Sequence, residues 1–199
     1  MAVLGITRLD AVNSCLMAIN EYRVDELDTN GTSIQADAER VVNESTRYFC
    51  AVGWPCNTRK CVAITTTVVG TEDIVRAGFG GLPTNTLRIQ GAGPNKNRNF
   101  VLRGDTLYDA DKGTQDFLAA TTIFLDIAEL LDFENCDPIL KEEIAQHAAQ
   151  RFARRKIGSQ VTDAYLSQEL QISSQFNKTS PIFAGEKQLS QVTNQQPGQ

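Results

Sequence analysis

The chain has 199 residues, of which 41% are hydrophobic and 22% charged, with a formal net charge of -5. That length buries the core of one domain or two small ones and leaves no room for a separate large catalytic domain. The acidic balance excludes a whole-protein basic field of the kind that wraps nucleic acid, and no apolar run approaches the roughly 20 residues of a membrane helix.

The opening, MAVLGITRLD, lacks a charged region followed by an apolar one, so the chain is expected to stay in the compartment where it is made. TRLDAVNSCLMAINEY then sets Leu9, Val12, Leu16 and Ile19 at helical intervals, and Thr7 followed by Asp10 predicts a capped start. After the polar loop 28–32, SIQADAERVVNESTRYFCAVG carries a second amphipathic pattern through Ile34, Ala38, Val41, Val42, Phe49 and Val52. Gly53 is placed to stop that helix, and Trp54-Pro55 prevents its continuation. Trp54 is expected to be buried where helical and β regions join. Residues 1–55 thus read as an antiparallel helical pair.

From Cys56 onward, periods of two replace periods of 3.6. CVAITTTVV sets Val62, Ile64 and Val68 on one face of a strand. Shorter alternations follow around Leu87 and Ile89, Phe100 and Leu102, and Ile123, Leu125 and Ile127, with GAGPNKNRN and DADKG as turns. Residues 56–128 form an inserted β unit in this reading. Asp137-Pro138 begins a further helix that runs to about Ile157 and stops at Gly158, and Ser159 can cap another, QVTDAYLSQELQIS. Residues 129–175 are expected to pack on the N-terminal pair. Residues 176–199 form an extended glutamine-rich tail, too poor in apolar clusters to order itself. The fold class is therefore α+β: an antiparallel helical bundle with an inserted small β-sheet or sandwich and an extended C-terminal tail.

Catalytic patterns do not assemble. The five cysteines, Cys15, Cys50, Cys56, Cys61 and Cys136, are an odd set without CxxC knuckles, and the single histidine is the distant His147. They read as free thiols in a reducing cytosol. DADKG fails as a calcium loop, because Thr114 stands where its glycine is required and Ala120 where its glutamate is. GFGG and GAG complete no phosphate-binding fingerprint. His147, flanked on the helix surface by Glu143 and Arg151, has no marked nucleophile beside it, and the Glu142/Glu143 and Asp163/Glu169 pairs suit solvated helix faces. No enzyme, cofactor or metal signature emerges.

The stretch AQHAAQRFARRKIGS is the exception to the acidic balance, with Arg151, Arg154, Arg155 and Lys156 within six positions. Leu140, Ile144, Ala148 and Phe152 form one drifting stripe at about 100° per residue, and Arg151 and Arg155 project from that same stripe. Spacing alone favours cations answering the helix dipole, worth about 0.3–1 kcal/mol, over an assembly surface. Nucleic-acid recognition ranks third, since no aromatic interleaving accompanies the charges.

Four segments occur as an ordered set: LDAVNSCLMAI, ADAERVVNE leading into VGWPCN, LYDADKGTQDF, and DPILKEEIAQHAAQRFARRKIG with Ala148, Phe152, Arg155 and Gly158. Together they resemble the tail tubular protein A family of T7-like podoviruses, over about residues 8 to 170. The Cys50 to Cys61 segment and the glutamine-rich end depart from that pattern. The resemblance implies a virion tail protein assembled in the host bacterial cytoplasm: a gatekeeper adaptor, in a dodecameric homo-oligomeric ring. Its implied partners are the portal protein, the tail nozzle (tail tubular protein B) and tail fibres, with DNA crossing the lumen without sequence recognition and no membrane contact. It shifts the reading of Arg151, Arg154, Arg155 and Lys156 towards an assembly interface, with Gly53, Trp54, Pro55 and Gly158 as structural junctions. The alternatives are a small α+β hydrolase or ligand-binding protein, which needs a concave polar site, and a nucleic-acid-binding regulator, which needs salt-sensitive DNA affinity.

Overall fold

The computed structural model describes residues 5–27, 33–69, 72–117 and 122–158. The helix expected after Ser159 and the glutamine-rich tail lie outside the described residues. The fold is α+β, combining helices with small antiparallel sheets. Up to Val42 and again from Pro138 the described residues form one compact unit, and Asn43–Asp137 form another.

Helix α1 spans Arg8–Met17 and starts at a capping box. Asp10 N donates to Thr7 Oγ1 at 3.2 Å and Thr7 N donates to Asp10 Oδ2 at 2.9 Å, which satisfies two amides that the first turn would otherwise leave unpaired. The helix ends a turn before the apolar period suggests. Asn20 adopts φ +60 and Glu21 N closes onto Leu16 O at 3.0 Å, so Ile19 falls in the turn rather than on the stripe. Helix α2 spans Ile34–Val52 and stops where Gly53 takes φ +88. Helix α3 spans Pro138–Lys156 and is followed by Gly158 at φ +63.

In the first unit α1 packs against α3. Val12, Leu16, Leu140, Ile144, Ala148 and Phe152 are all buried there, so the stripe read along the third helix is a core stripe. Burial extends beyond it, however. Lys141, Glu143 and Gln150 are buried too, each engaged in polar or electrostatic contact, so Glu143 does not lie on a solvated face.

The second unit is built on strands β1 Thr58–Thr65, β2 Thr67–Val69, β3 Glu72–Ile74, β4 Thr86–Gly91, β5 Phe100–Arg103, β6 Thr106–Asp109 and β7 Thr122–Glu129. A three-stranded antiparallel sheet has the order β1-β7-β4, and β2-β3 and β5-β6 pair as hairpins. In the central strand β7, Ile123, Leu125 and Ile127 are fully buried and join Ile64, Val75, Leu82, Phe100, Leu107 and Phe117 in one core. The expectation that Val62, Ile64 and Val68 share one strand face fails at Val68, which is exposed. The ladder ends with Thr65 opposite Thr122, and Thr65 N donates instead to Gly80 O at 2.9 Å. Only glycine fits at position 80: φ is +60, and a Cβ would lie 2.1 Å from Thr65 O. The chain therefore turns into the β2-β3 hairpin.

Candidate assembly interface

The last turn of α3 leaves the core of the first unit. Phe152 and Ala153 are fully buried, Arg151 is half-buried, and Arg154, Arg155, Lys156 and Ile157 are exposed. Lys156 Nζ donates to Asp37 Oδ2 at 2.7 Å and lies 5.7 Å from the Phe152 ring centroid. Asp37 also pairs with Arg40 at 3.2 Å. The Lys156 hydrogen bond, backed by the charges of Lys156, Arg40 and Arg155, holds the Asp37 carboxyl below its ordinary range. Arg151, Arg154 and Arg155 each have a polar or electrostatic partner. One turn back, His147 is held below its usual pKa first by burial and then by the Arg151 and Arg154 charges.

This end of the unit carries apolar surface as well. Ile34, three residues before Asp37, is 39% exposed, and Ile157, next to Lys156, is 47% exposed. Cations, one acid and two isoleucines suit docking onto another protein, with steering from the charges and burial from the apolar groups. Neither Asp37 nor Ile34 was singled out as a site residue in the sequence. Asp37 lies 119 residues from Lys156, and no local signal joins an acid in the first turn of α2 to cations in the last turn of α3.

Of the expected junction residues, Gly53, Trp54 and Pro55 lie in the second unit and Gly158 in the first. Pro55 opens a short 3-10 turn, Pro55–Asn57, with half-buried Trp54 as its N-cap. Asn57 is the buried member that motif reading passed over. Its Oδ1 accepts from Trp54 N, and its Nδ2 donates to Cys50 O and Glu129 O, all at 2.7 Å. Arg88 donates to Val52 O at 3.0 Å and so meets an exposed carbonyl at the end of α2. Beside it lies a cleft of about 120 Å³ lined by Val52, Gly53, Thr58, Arg88, Gln90 and Asp126 among others. That is below the ~300 Å³ at which ligand pockets begin.

The DADKG turn closes on a buried carboxylate. Asp109 is fully enclosed and ion-paired with Arg98, and it accepts from Asp111 N at 3.1 Å and Lys112 N at 3.3 Å. Burial pushes its pKa up, but Arg98 and these main-chain donors outweigh burial and hold it below the ordinary carboxylate range. Among the described residues no three His, Cys, Asp or Glu side chains gather to hold a metal ion, and no helix is long and apolar enough to cross a membrane.

The family model described as tail tubular protein matches residues 9–179. The chain belongs to the tail tubular protein family. No curated protein matches it. Membership makes it a structural protein of a phage tail, located in the virion. The tail tubular match begins inside α1 and continues past α3, so it takes in the whole of the second unit and the basic helix end alike.

Proposed function

We propose that the chain is the head-to-tail adaptor of a short-tailed bacteriophage. In this reading it assembles in the host cytoplasm into a closed, dodecameric ring between the portal and the tail nozzle, tail tubular protein B. Tail fibres dock at the periphery, and DNA passes the lumen without base recognition. The observation that supports the reading is the exposed end of α3, where Arg154, Arg155, Lys156 and Ile157 leave the core within a family-matched segment. A ring repeats each modest contact around a closed symmetry, so its strength comes from multiplicity rather than from any single pair. The role is mechanical: buried area between subunits resists the pressure of packaged DNA. Mass photometry of the chain alone and with portal protein tests this. A species that stays strictly monomeric in both, with no portal binding, overturns it.

A further inference from the structure

A closed ring is built from heterologous contacts, so each copy has to carry two different surfaces that fit one another. The end of α3 supplies one, with Arg154 and Arg155 exposed and Ile157 47% exposed beside them. Its complement needs carboxylates that lack cations of their own, with an exposed apolar side chain among them.

The β2-β3 hairpin of the second unit meets both conditions. Cross-strand pairs share a sheet face, and here Thr67 stands opposite Ile74 and Val68 opposite Asp73. Ile74 is buried, which turns the Val68/Asp73 pair outwards and leaves Val68 67% exposed. Glu72 and Asp116 are exposed, and Asp73 is half-buried. Among the described residues no Lys or Arg forms an ion pair with any of these three acids. The patch is held in place by hydrogen bonds. Gln115 Nε2 donates to Glu72 Oε2 at 3.0 Å, Asp73 N donates to Asp116 Oδ1 at 2.9 Å, and Phe117 N donates to Asp73 O at 2.7 Å, with Phe117 itself in the core. A surface fixed this way loses little freedom on binding. Two other exposed apolar side chains of this unit stand beside cations instead: Arg88 reaches the carbonyl of Val52, and Val101 shares a face of β5 with Arg103.

We infer that the outer face of the β2-β3 hairpin, Val68 with Glu72, Asp73 and Asp116, receives the α3 end of the next copy, Arg154 and Arg155 against the carboxylates and Ile157 against Val68. This contact rests on the ring proposed for the chain and names the surface of the neighbouring copy that meets the basic helix end. Apolar burial and charge pairing come from the same few residues. Two copies that meet the wrong way round set arginines against arginines or acids against acids, so the charges also fix the direction of the ring.

Glu72→Lys/Asp73→Lys makes both surfaces of a copy cationic, and Arg154→Glu/Arg155→Glu makes both acidic. The lysine pair keeps the Asp116 carboxylate that holds the Asp73 amide. Mass photometry, on the full chain alone and with portal protein, compares wild type, each variant and their equimolar mixture, with circular dichroism checking that each is folded. Each variant by itself should lose the wild-type oligomer, and the mixture should recover it, because cationic and acidic copies can alternate. Val68→Lys, at a position exposed enough to spare the fold, should lose the oligomer too. The inference is overturned if wild type assembles and Val68→Lys or a folded charge variant assembles equally well, or if two folded charge variants stay dissociated when mixed. Loss of portal binding alone in the hairpin variants also overturns it, since the face then belongs to the portal. A wild type that is monomeric in every condition overturns the ring and this contact together, which separates that failure from a failure of the contact alone.

Discussion

Asn57 Nδ2 donates to the main-chain carbonyl of Glu129 at 2.7 Å, across 72 residues of sequence, while the same nitrogen reaches Cys50 O. One buried amide thus ties the end of α2 to the end of β7. Cys50 lies in the last turn of α2, where its carbonyl also accepts from Gly53 N at 3.2 Å, and Glu129 is the last residue of β7.

Asn57→Ala should therefore cost about 3 kcal/mol, since at once it takes the side-chain donor from the Glu129 carbonyl, the side-chain acceptor from the Trp54 amide and one of two donors from the Cys50 carbonyl. Urea unfolding followed by circular dichroism measures it. A loss under about 1 kcal/mol would show that water replaces the amide without penalty.

Asp109→Asn should be comparably costly, about 3 kcal/mol, because it leaves the Arg98 guanidinium without its carboxylate. The wild-type carboxyl has a lowered pKa in the folded state. Its stabilisation is thus present above the unfolded value near ~3.9 and is lost as pH falls through the folded value. Thermal melts from pH 6 down to the acid limit should show that loss in the wild type and a flatter profile in the variant; parallel profiles would remove Asp109 from the acid response.

His147 gives a probe at the basic helix end, because it is the single histidine of the chain. Arg151→Gln removes one of the charges that lower its pKa, so titration by NMR should move it up towards the ordinary value of 6.5. In the wild type the depressed pKa means that folding favours the neutral ring. That contribution holds above about 6.5 and fades as pH falls through the folded value, so the variant should lose less stability on acidification. An unmoved titration would place the Arg151 charge away from the ring.

The double variant Arg151→Gln/Arg155→Gln keeps length and helix propensity while removing charge. The expected outcome is a normally folded chain that fails to assemble on portal. Loss of about 1 kcal/mol with assembly intact would return these residues to answering the helix dipole. Retained assembly with weakened, salt-dependent DNA affinity would instead mark a nucleic-acid contact.

Trp54 is half-buried, so its truncation should cost less than that of a fully enclosed aromatic. Trp54→Ala is expected to lower stability by about 2 kcal/mol in the same urea experiment. No change at all would make the ring a bystander to folding.

Local chemistry was the legible part of this sequence. Thr7 and Asp10 announce their capping box because both halves lie within one turn, and Gly53 and Gly158 announce helix ends because few other residues accept a positive φ. Val68 misled because alternation continues past the point where β7 stops offering partners, and nothing near Thr66 signals that Gly80 takes over. Asp109 read as a turn residue but is the last residue of β6, paired with Phe100, and its carboxylate is buried against Arg98, which no local pattern announces. At the candidate interface, the cations were visible as a run of like residues. Asp37 was not, since pairing over 119 residues is a product of helix packing and leaves no local trace.

The order β1-β7-β4 sets a timetable for the ribosome. Both outer strands of that sheet pair with the strand made last, so β1 and β4 emerge without their ladders and wait until Glu129 has been synthesised. The β2-β3 and β5-β6 hairpins need only nearby chain and can close first. The first unit waits longer still, because α1 packs on α3 near the far end of the described chain. A nascent chain halted before β7 would therefore present two sticky strand edges, which makes prompt elongation, or a chaperone that covers them, part of producing this tail component in quantity.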